Sequence, residues 1–289
     1  MRGGQESYGF QLFAMRPAVF EIAARSPSAV PPLEDVPIFT GFARAVVEGM
    51  VRGKVWVDNL DKPRAAHALH SYGMSLLWGP GIGESFPAIV AHLCDGAYRR
   101  KDEYLQIDPR WGHLDWDKAL EGAPGGGPQV QRFTRVNFRF EEALFRARHG
   151  EPLLPAGWRV REMEENAYGL PDVSVTPQAF WKDFADFVDH GGGICAVKID
   201  GAVEDEIGAI AFSATRFDDW LEIGIETRAA YRGLGLARAV AVAMIEKCLA
   251  AGLTPVWACR KENTGSFVLA QSLGFVVVKE LPFYRLPGK

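Results

Sequence analysis

The run Arg232-Gly233-Leu234-Gly235-Leu236-Ala237 opens a long amphipathic stretch, and its residue types suit an anion. The first N–H groups of a helix have no intrahelical partner, and the helix dipole favours negative charge there. Glycines at 233 and 235 remove the Cβ atoms that would hold a phosphate at a distance, and Arg232 adds a fixed positive charge. Together these suit a pyrophosphate. The turn is not a Walker A loop, because no Lys-Ser/Thr pair follows it. It is also an incomplete dinucleotide fingerprint, because position 238 is Arg where a third Gly belongs. The plain alternative for an isolated R-G-x-G is a tight turn with no ligand.

Carboxylates precede the turn. Glu222 and Glu226 alternate with Leu221, Ile223 and Ile225, so they share one face of a strand with Gly224. A partly desolvated glutamate can have its pKa raised toward neutrality and serve as a base. The plain alternative is a pair of solvated residues on a half-exposed strand. Asn263 opens a later helix, where its simplest role is an N-cap, and Ser266 lies one turn along. His67, His70 and His92 fall in different expected elements with no carboxylate at ligand spacing, so no metal is expected. Cys94, Cys195, Cys248 and Cys259 show no C-x-x-C spacing and read as reduced thiols.

These groups need a scaffold to position them. The chain has 289 residues, 48% apolar and 24% charged, which describes a soluble globular protein with an ample core. A net charge of −4 supplies no basic field for nucleic acid. No apolar run is long enough to span a bilayer, and MRGGQESYGF lacks the apolar core of a secretion signal, so a cytoplasmic protein is expected. Glu121–Val130 and the Pro152, Pro155, Gly157 cluster read as breaks. They suggest two α/β halves, 1–150 and 151–289.

In the first half, Val19–Ala24, Phe42–Met50 and Pro87–Arg99 read as helices. Lys54–Asn59, part of Ala65–Trp78, EYLQI and QRFTRVNFRF read as strands. In the second half, WRVREM, ICAVKIDG, EIGAIAFSATR, WLEIGIET, PVWACR and FVVVKEL read as strands. PQAFWKDFADFVDHGG reads as a helix with Phe180, Phe184, Phe187 and Val188 on one face. After the glycine turn, Ala237, Val240, Ala241, Met244, Ile245 and Cys248 repeat at helical steps and mark a core face, with Gly252 at the C′ position. NTGSFVLAQSL reads as a last helix, stopped by Gly274.

The segment E-I-G-I-E-T-R-A-A-Y-R-G-L-G-L-A, followed by N-x-x-S-x-x-L-A-x-x-L-G-F from Asn263 to Phe275, resembles the GNAT superfamily of acyl-CoA N-acyltransferases over roughly residues 158–285. G-K-V-W-V-D-N-x-D-K-P (53–63), L-W-G (77–79), C-L-A-A-G-L-T-P-V-W-A-C (248–259) and N-T-G-S-F-V-L-A look like the two-domain branch that includes zwittermicin A resistance acetyltransferases. The resemblance implies an α/β fold of α+β type. Its central sheet would be mixed and mostly antiparallel, flanked by helices, with a degenerate GNAT-like N-terminal half that helps shape the acceptor pocket.

The resemblance further implies acetyl-CoA, or a related acyl-CoA, as donor and no metal. The backbone of Gly233, Leu234, Gly235, Leu236 and Ala237, with Arg232, would hold the pyrophosphate. Ile225, Thr227, Asn263 and Ser266 would hold the pantetheine. Glu222 would be the base, with Glu226 the second carboxylate on its face. The tyrosine that often protonates the leaving thiol is replaced by Ala270 here, which leaves water, or another residue such as Tyr284 or Cys259, to protonate the thiolate. The acceptor would be a small amine, an antibiotic or other specialised metabolite, with neither nucleic acid nor membrane as partner. An acyl-carrier protein is the alternative donor, met by a basic face of Arg228, Arg232, Arg238 and Arg260. A binding module without chemistry is the remaining alternative. Gly235→Asp should abolish acetyl-CoA binding in a calorimetric titration, and wild-type affinity in that variant would contradict the pyrophosphate assignment.

Overall fold

A computed structural model describes residues 19–23, 27–121, 130–148, 154–199 and 206–289. MRGGQESYGF, most of the Glu121–Val130 break and Pro152 lie outside the described residues. The first half contains β1 (Phe20–Ile22), α1 (Gly41–Val47), β2 (Gly53–Val57), β3 (Ala66–His70), β4 (Met74–Trp78), α2 (Ile82–Asp95), β5 (Glu103–Ile107), α3 (Trp116–Glu121), β6 (Gln131–Phe140) and α4 (Glu142–Arg148). The second contains β7 (Trp158–Glu162), α5 (Glu165–Tyr168), α6 (Phe184–His190), β8 (Gly193–Lys198), β9 (Glu206–Phe217), β10 (Trp220–Thr227), α7 (Leu236–Ala250), β11 (Thr254–Val256), β12 (Ala258–Arg260), α8 (Thr264–Ser272) and β13 (Phe275–Leu286).

Two mixed, mostly antiparallel sheets result. One runs β11-β10-β9-β8-β7, and the other β1-β2-β3-β4-β5-β13-β6-β12. The last strand of the chain thus lies inside the sheet of the first half. It pairs with β5 through Phe283–Leu286 and with β6 along most of its length. β8 and β9 are apolar and buried along most of their length, because helices and loops cover both faces of their sheet.

Local chemistry explains most of the elements. α7 ends in a Schellman arrangement: Gly252 N–H bonds Leu249 O at 3.0 Å, Leu253 N–H bonds Cys248 O at 2.9 Å, and Gly252 has φ +70°. Val240, Ala241, Met244, Ile245 and Cys248 are buried as their spacing predicts. Ala237, expected with them, is only half-buried, and Leu236 and Ala239 join the core instead. Several expectations change. The helix expected at Pro87–Arg99 runs Ile82–Asp95, with Pro87 inside it and Gly96 as its left-handed C-cap. Residues 20–22 form a strand, because they pair with Val55–Val57. The helix expected from Pro177 contracts to a short 3-10 turn and then α6, which Asp183 caps by accepting from Asp186 N–H. Val188 is 52% exposed, while Phe187 fills the core. PVWACR is two strands, with Trp257 between them.

One core spans both halves. Val136, Phe138 and Phe145 from the first pack with Leu221, Ile223, Val240, Trp257 and Phe275 from the second. Phe145→Ala should therefore cost roughly 3–5 kcal/mol and shift a single urea unfolding transition. Separate transitions, with only one of them shifted, would show that the halves do not share a cooperative core.

Candidate functional site

The site begins where β10 loses a neighbour. β10 pairs with β9 along its whole length, but with β11 only at Trp220, Leu221 and Glu222. At Trp257 the next strand turns away. β12 pairs instead with β6, matching Ala258 to Asn137, Cys259 to Val136 and Arg260 to Arg135. The two strands splay, and a cleft of about 230 Å³ opens between Ile223–Glu226 on one wall and Ala258–Arg260, Asn263 and Ser266 on the other. Phe42, Tyr72, Met74 and Arg135 from the first half close it.

The glycine turn lies beyond the open end of β10. Gly233 and Gly235 have φ +79° and +80°, a region that disfavours other residues. A Cβ at either would meet nothing within 4 Å, so the space before the turn is open. Gly235 is the N-cap of α7 and supplies no side-chain acceptor, so the first N–H groups of this helix, among them those of Leu236 and Ala237, receive no side-chain cap. Arg232 donates to Thr227 O at 3.4 Å, which holds it beside the turn. Leu236 is buried and anchors the helix start, while Leu234 is 43% exposed. Open space, uncapped N–H groups and an adjacent cation fit a pyrophosphate.

Glu222 and Glu226 both line the cleft. Glu222 has a side chain only 14% exposed and accepts from Thr215 Oγ1 at 3.2 Å, with Arg135 Nη2 at 3.9 Å. Burial raises its pKa, and the Arg135 charge and the Thr215 hydroxyl oppose that rise in part. Glu226, four residues further along, accepts from Ser174 Oγ. Asn263 caps α8, its Oδ1 accepting from Ser266 N–H at 3.3 Å, and both residues also line the cleft. Ser266 Oγ accepts from Trp257 Nε1 at 3.1 Å.

Other candidates separate. Tyr284 donates to Asp117 at 2.8 Å and packs with the core of β4, β5 and α2, away from the cleft. Cys259 does line the cleft, but burial pushes its thiol pKa up. Ala270 is fully buried. Tyr72 is the one phenol on the cleft wall among the described residues, and nothing in its local sequence marks it. Arg135, also missed, carries a signal: a charged residue on the Phe133 face of a strand whose other face is Val136, Phe138 and Phe140.

Arg228 pairs with Asp172 at 3.4 Å, and Arg238 donates to Ser272 Oγ and Arg148 O. Arg260 turns into the cleft. His67 and His92 do meet, with Nδ1 and Nε2 3.2 Å apart, and Glu103 accepts the other side of His67 at 2.9 Å. Glu103 also bonds Ser75, Tyr98 and Arg99, and burial lowers the His92 pKa to about 3. This is a satisfied buried network. No cluster of three or more metal-ligating side chains occurs among the described residues, and no helix there is long and apolar enough to cross a membrane. All four cysteines are free thiols.

A carboxyl ¹³C titration of Glu222 should give a midpoint above the ordinary carboxylate range. Thr215→Val removes a hydrogen bond that favours the charged form, so it should move the midpoint further up. A midpoint at or below the ordinary range would contradict this account of the buried carboxylate.

Comparisons with known proteins agree with the geometry. The GNAT acetyltransferase family profile matches residues 38–284. The chain is similar to an uncharacterized N-acetyltransferase, YdfB, of Bacillus subtilis, with 25% identity over 246 residues, 84% of this chain and 89% of that protein. It is also similar to the crystal structure of a GCN5-related N-acetyltransferase-like protein from Streptococcus suis, with TM-score 0.65 and 25% identity, covering 86% of this chain and 93% of that one. A tandem GNAT protein from the clavulanic acid biosynthesis pathway shares the fold at TM-score 0.56 and 12% identity, covering 94% and 98% of the two chains. A splayed central strand, an open glycine turn at a helix start and a family match across both halves identify this acyltransferase as a member of the GNAT acetyltransferase family.

Proposed function

We propose that this protein transfers an acetyl group from acetyl-CoA to the primary amine of a small molecule, with Glu222 as general base. The observation that carries the reading is Glu222: a buried carboxylate of raised pKa on the wall of the cleft opened by the splay. The pyrophosphate sits on the backbone of Gly233–Ala237 beside Arg232. The pantetheine runs along the free edge of β10 at Ile225 and Thr227, passing Asn263 and Ser266. A backbone N–H on that edge polarises the thioester carbonyl.

The step balances simply. Glu222 accepts a proton from the acceptor ammonium, directly or through water. The amine nitrogen then attacks the thioester carbon, the C–N bond forms, and the C–S bond breaks. The thiolate leaves and takes up a proton, and the second amine proton goes to solvent. Tyr72 replaces the usual tyrosine as the phenol within the cleft.

A carrier-protein donor has less support, because Arg238 and Arg228 are engaged within the chain and Arg260 faces the cleft. The test is free-thiol release from acetyl-CoA in the presence of a panel of small amines. Glu222→Gln should lower kcat/KM by about 10²–10⁴-fold while acetyl-CoA binding is kept. Full activity in Glu222→Gln would remove it as the base.

A further inference from the structure

Two guanidinium groups in the cleft are short of anions. Arg135 is only 11% exposed at its side chain, and its Nε is buried with no hydrogen-bond partner. Its nearest anionic atom is Glu222 Oε1, at 3.9 Å, beyond hydrogen-bond reach. Arg260 lies directly opposite it across the β6–β12 ladder, so both side chains project from the same face. Arg260 rests over the Phe133 ring at 4.9 Å and has no ion pair among the described residues. Like charges directly opposite each other destabilise a sheet, and a buried cation lacking hydrogen bonds is costly. Such an arrangement is the form of a site awaiting an anion.

Acetyl-CoA does not supply that anion. Its pantetheine arm is uncharged. Its pyrophosphate is assigned to the glycine turn, past Thr227, which lies five residues along β10 from Glu222, about 16 Å. Its remaining phosphate sits on the ribose beyond that pyrophosphate, further still from Glu222 along the donor. The missing negative charge must come with the acceptor.

Resting on the acetyl-transfer reading, we propose that the acceptor is an amine that also carries an anionic oxygen group, held by Arg135 and Arg260 while its amine meets Glu222. A guanidinium fork matches carboxylate and phosphate oxygens with paired, charge-assisted hydrogen bonds. The short Arg135–Glu222 separation places the two recognised groups close together on the acceptor. The same arginines disfavour acceptors that carry several cations.

The test is calorimetric titration of three probes of similar length: propylamine, β-alanine and 2-aminoethylphosphonate. At least one of the two acids should bind at least ~10-fold more tightly than propylamine, equivalent to about 1.4 kcal/mol. Which acid binds better separates a carboxylate from a phosphate class, and either preference supports the proposal. The preference should vanish in Arg135→Gln and in Arg260→Gln, and the half-buried Arg260 keeps the test open if Arg135→Gln fails to fold. Equal or tighter binding of propylamine, no binding of either acid, or a preference that survives these substitutions would overturn the proposal. Acetyl-CoA is titrated in parallel: its failure to bind wild-type protein would count against the donor reading, separately from the acceptor result.

Discussion

The site depends on where one tryptophan sends the chain. Trp257 is held three ways: its carbonyl accepts from Phe138 N–H at 3.2 Å, its Nε1 donates to Ser266 Oγ at 3.1 Å, and its ring packs on Phe275 at 5.4 Å. Before it, β11 runs beside β10, and after it, β12 belongs to β6. The second half of β10 is therefore left with a ladder on one edge only. An unpaired strand edge offers N–H and C=O groups to an extended ligand. The strand that draws β12 away comes from the first half of the chain, so the first half helps open the cleft as well as wall it.

That sharing runs through the structure. β13 completes the sheet of the first half, and Phe145 lies in the core beneath α7 and α8. The two halves meet at Glu222, which takes a hydrogen bond from Thr215 in its own sheet and a charge from Arg135 in the other. Burial raises the carboxylate pKa while these two partners restrain the rise. A carboxylate held this way titrates above a solvated glutamate.

Local features were legible in the sequence. Alternation marks β10, the three- and four-residue repeat marks α7, and Gly233, Gly235 and Gly252 mark the turns at its two ends, all consequences of neighbours along the chain. Long-range pairing was not legible. Nothing in PVWACR announces that Trp257 divides it between two sheets, or that Arg260 will stand opposite Arg135. Tyr72 and the contact between His67, His92 and Glu103 depend on strand order, which periodicity does not encode. Within the helix expected at residues 19–24, Phe20–Ile22 form a strand for the same reason, since their partner is β2.

The central claim is that the free edge of β10 and the glycine turn together hold the donor. Amide hydrogen exchange with and without acetyl-CoA tests it most directly, because it reads those backbone N–H groups. The account predicts slowed exchange in two segments, Ile223–Thr227 and Gly233–Ala239, with little change in β2 and β3. Unchanged exchange in both segments at saturating acetyl-CoA, or protection confined to another part of the chain, would contradict it.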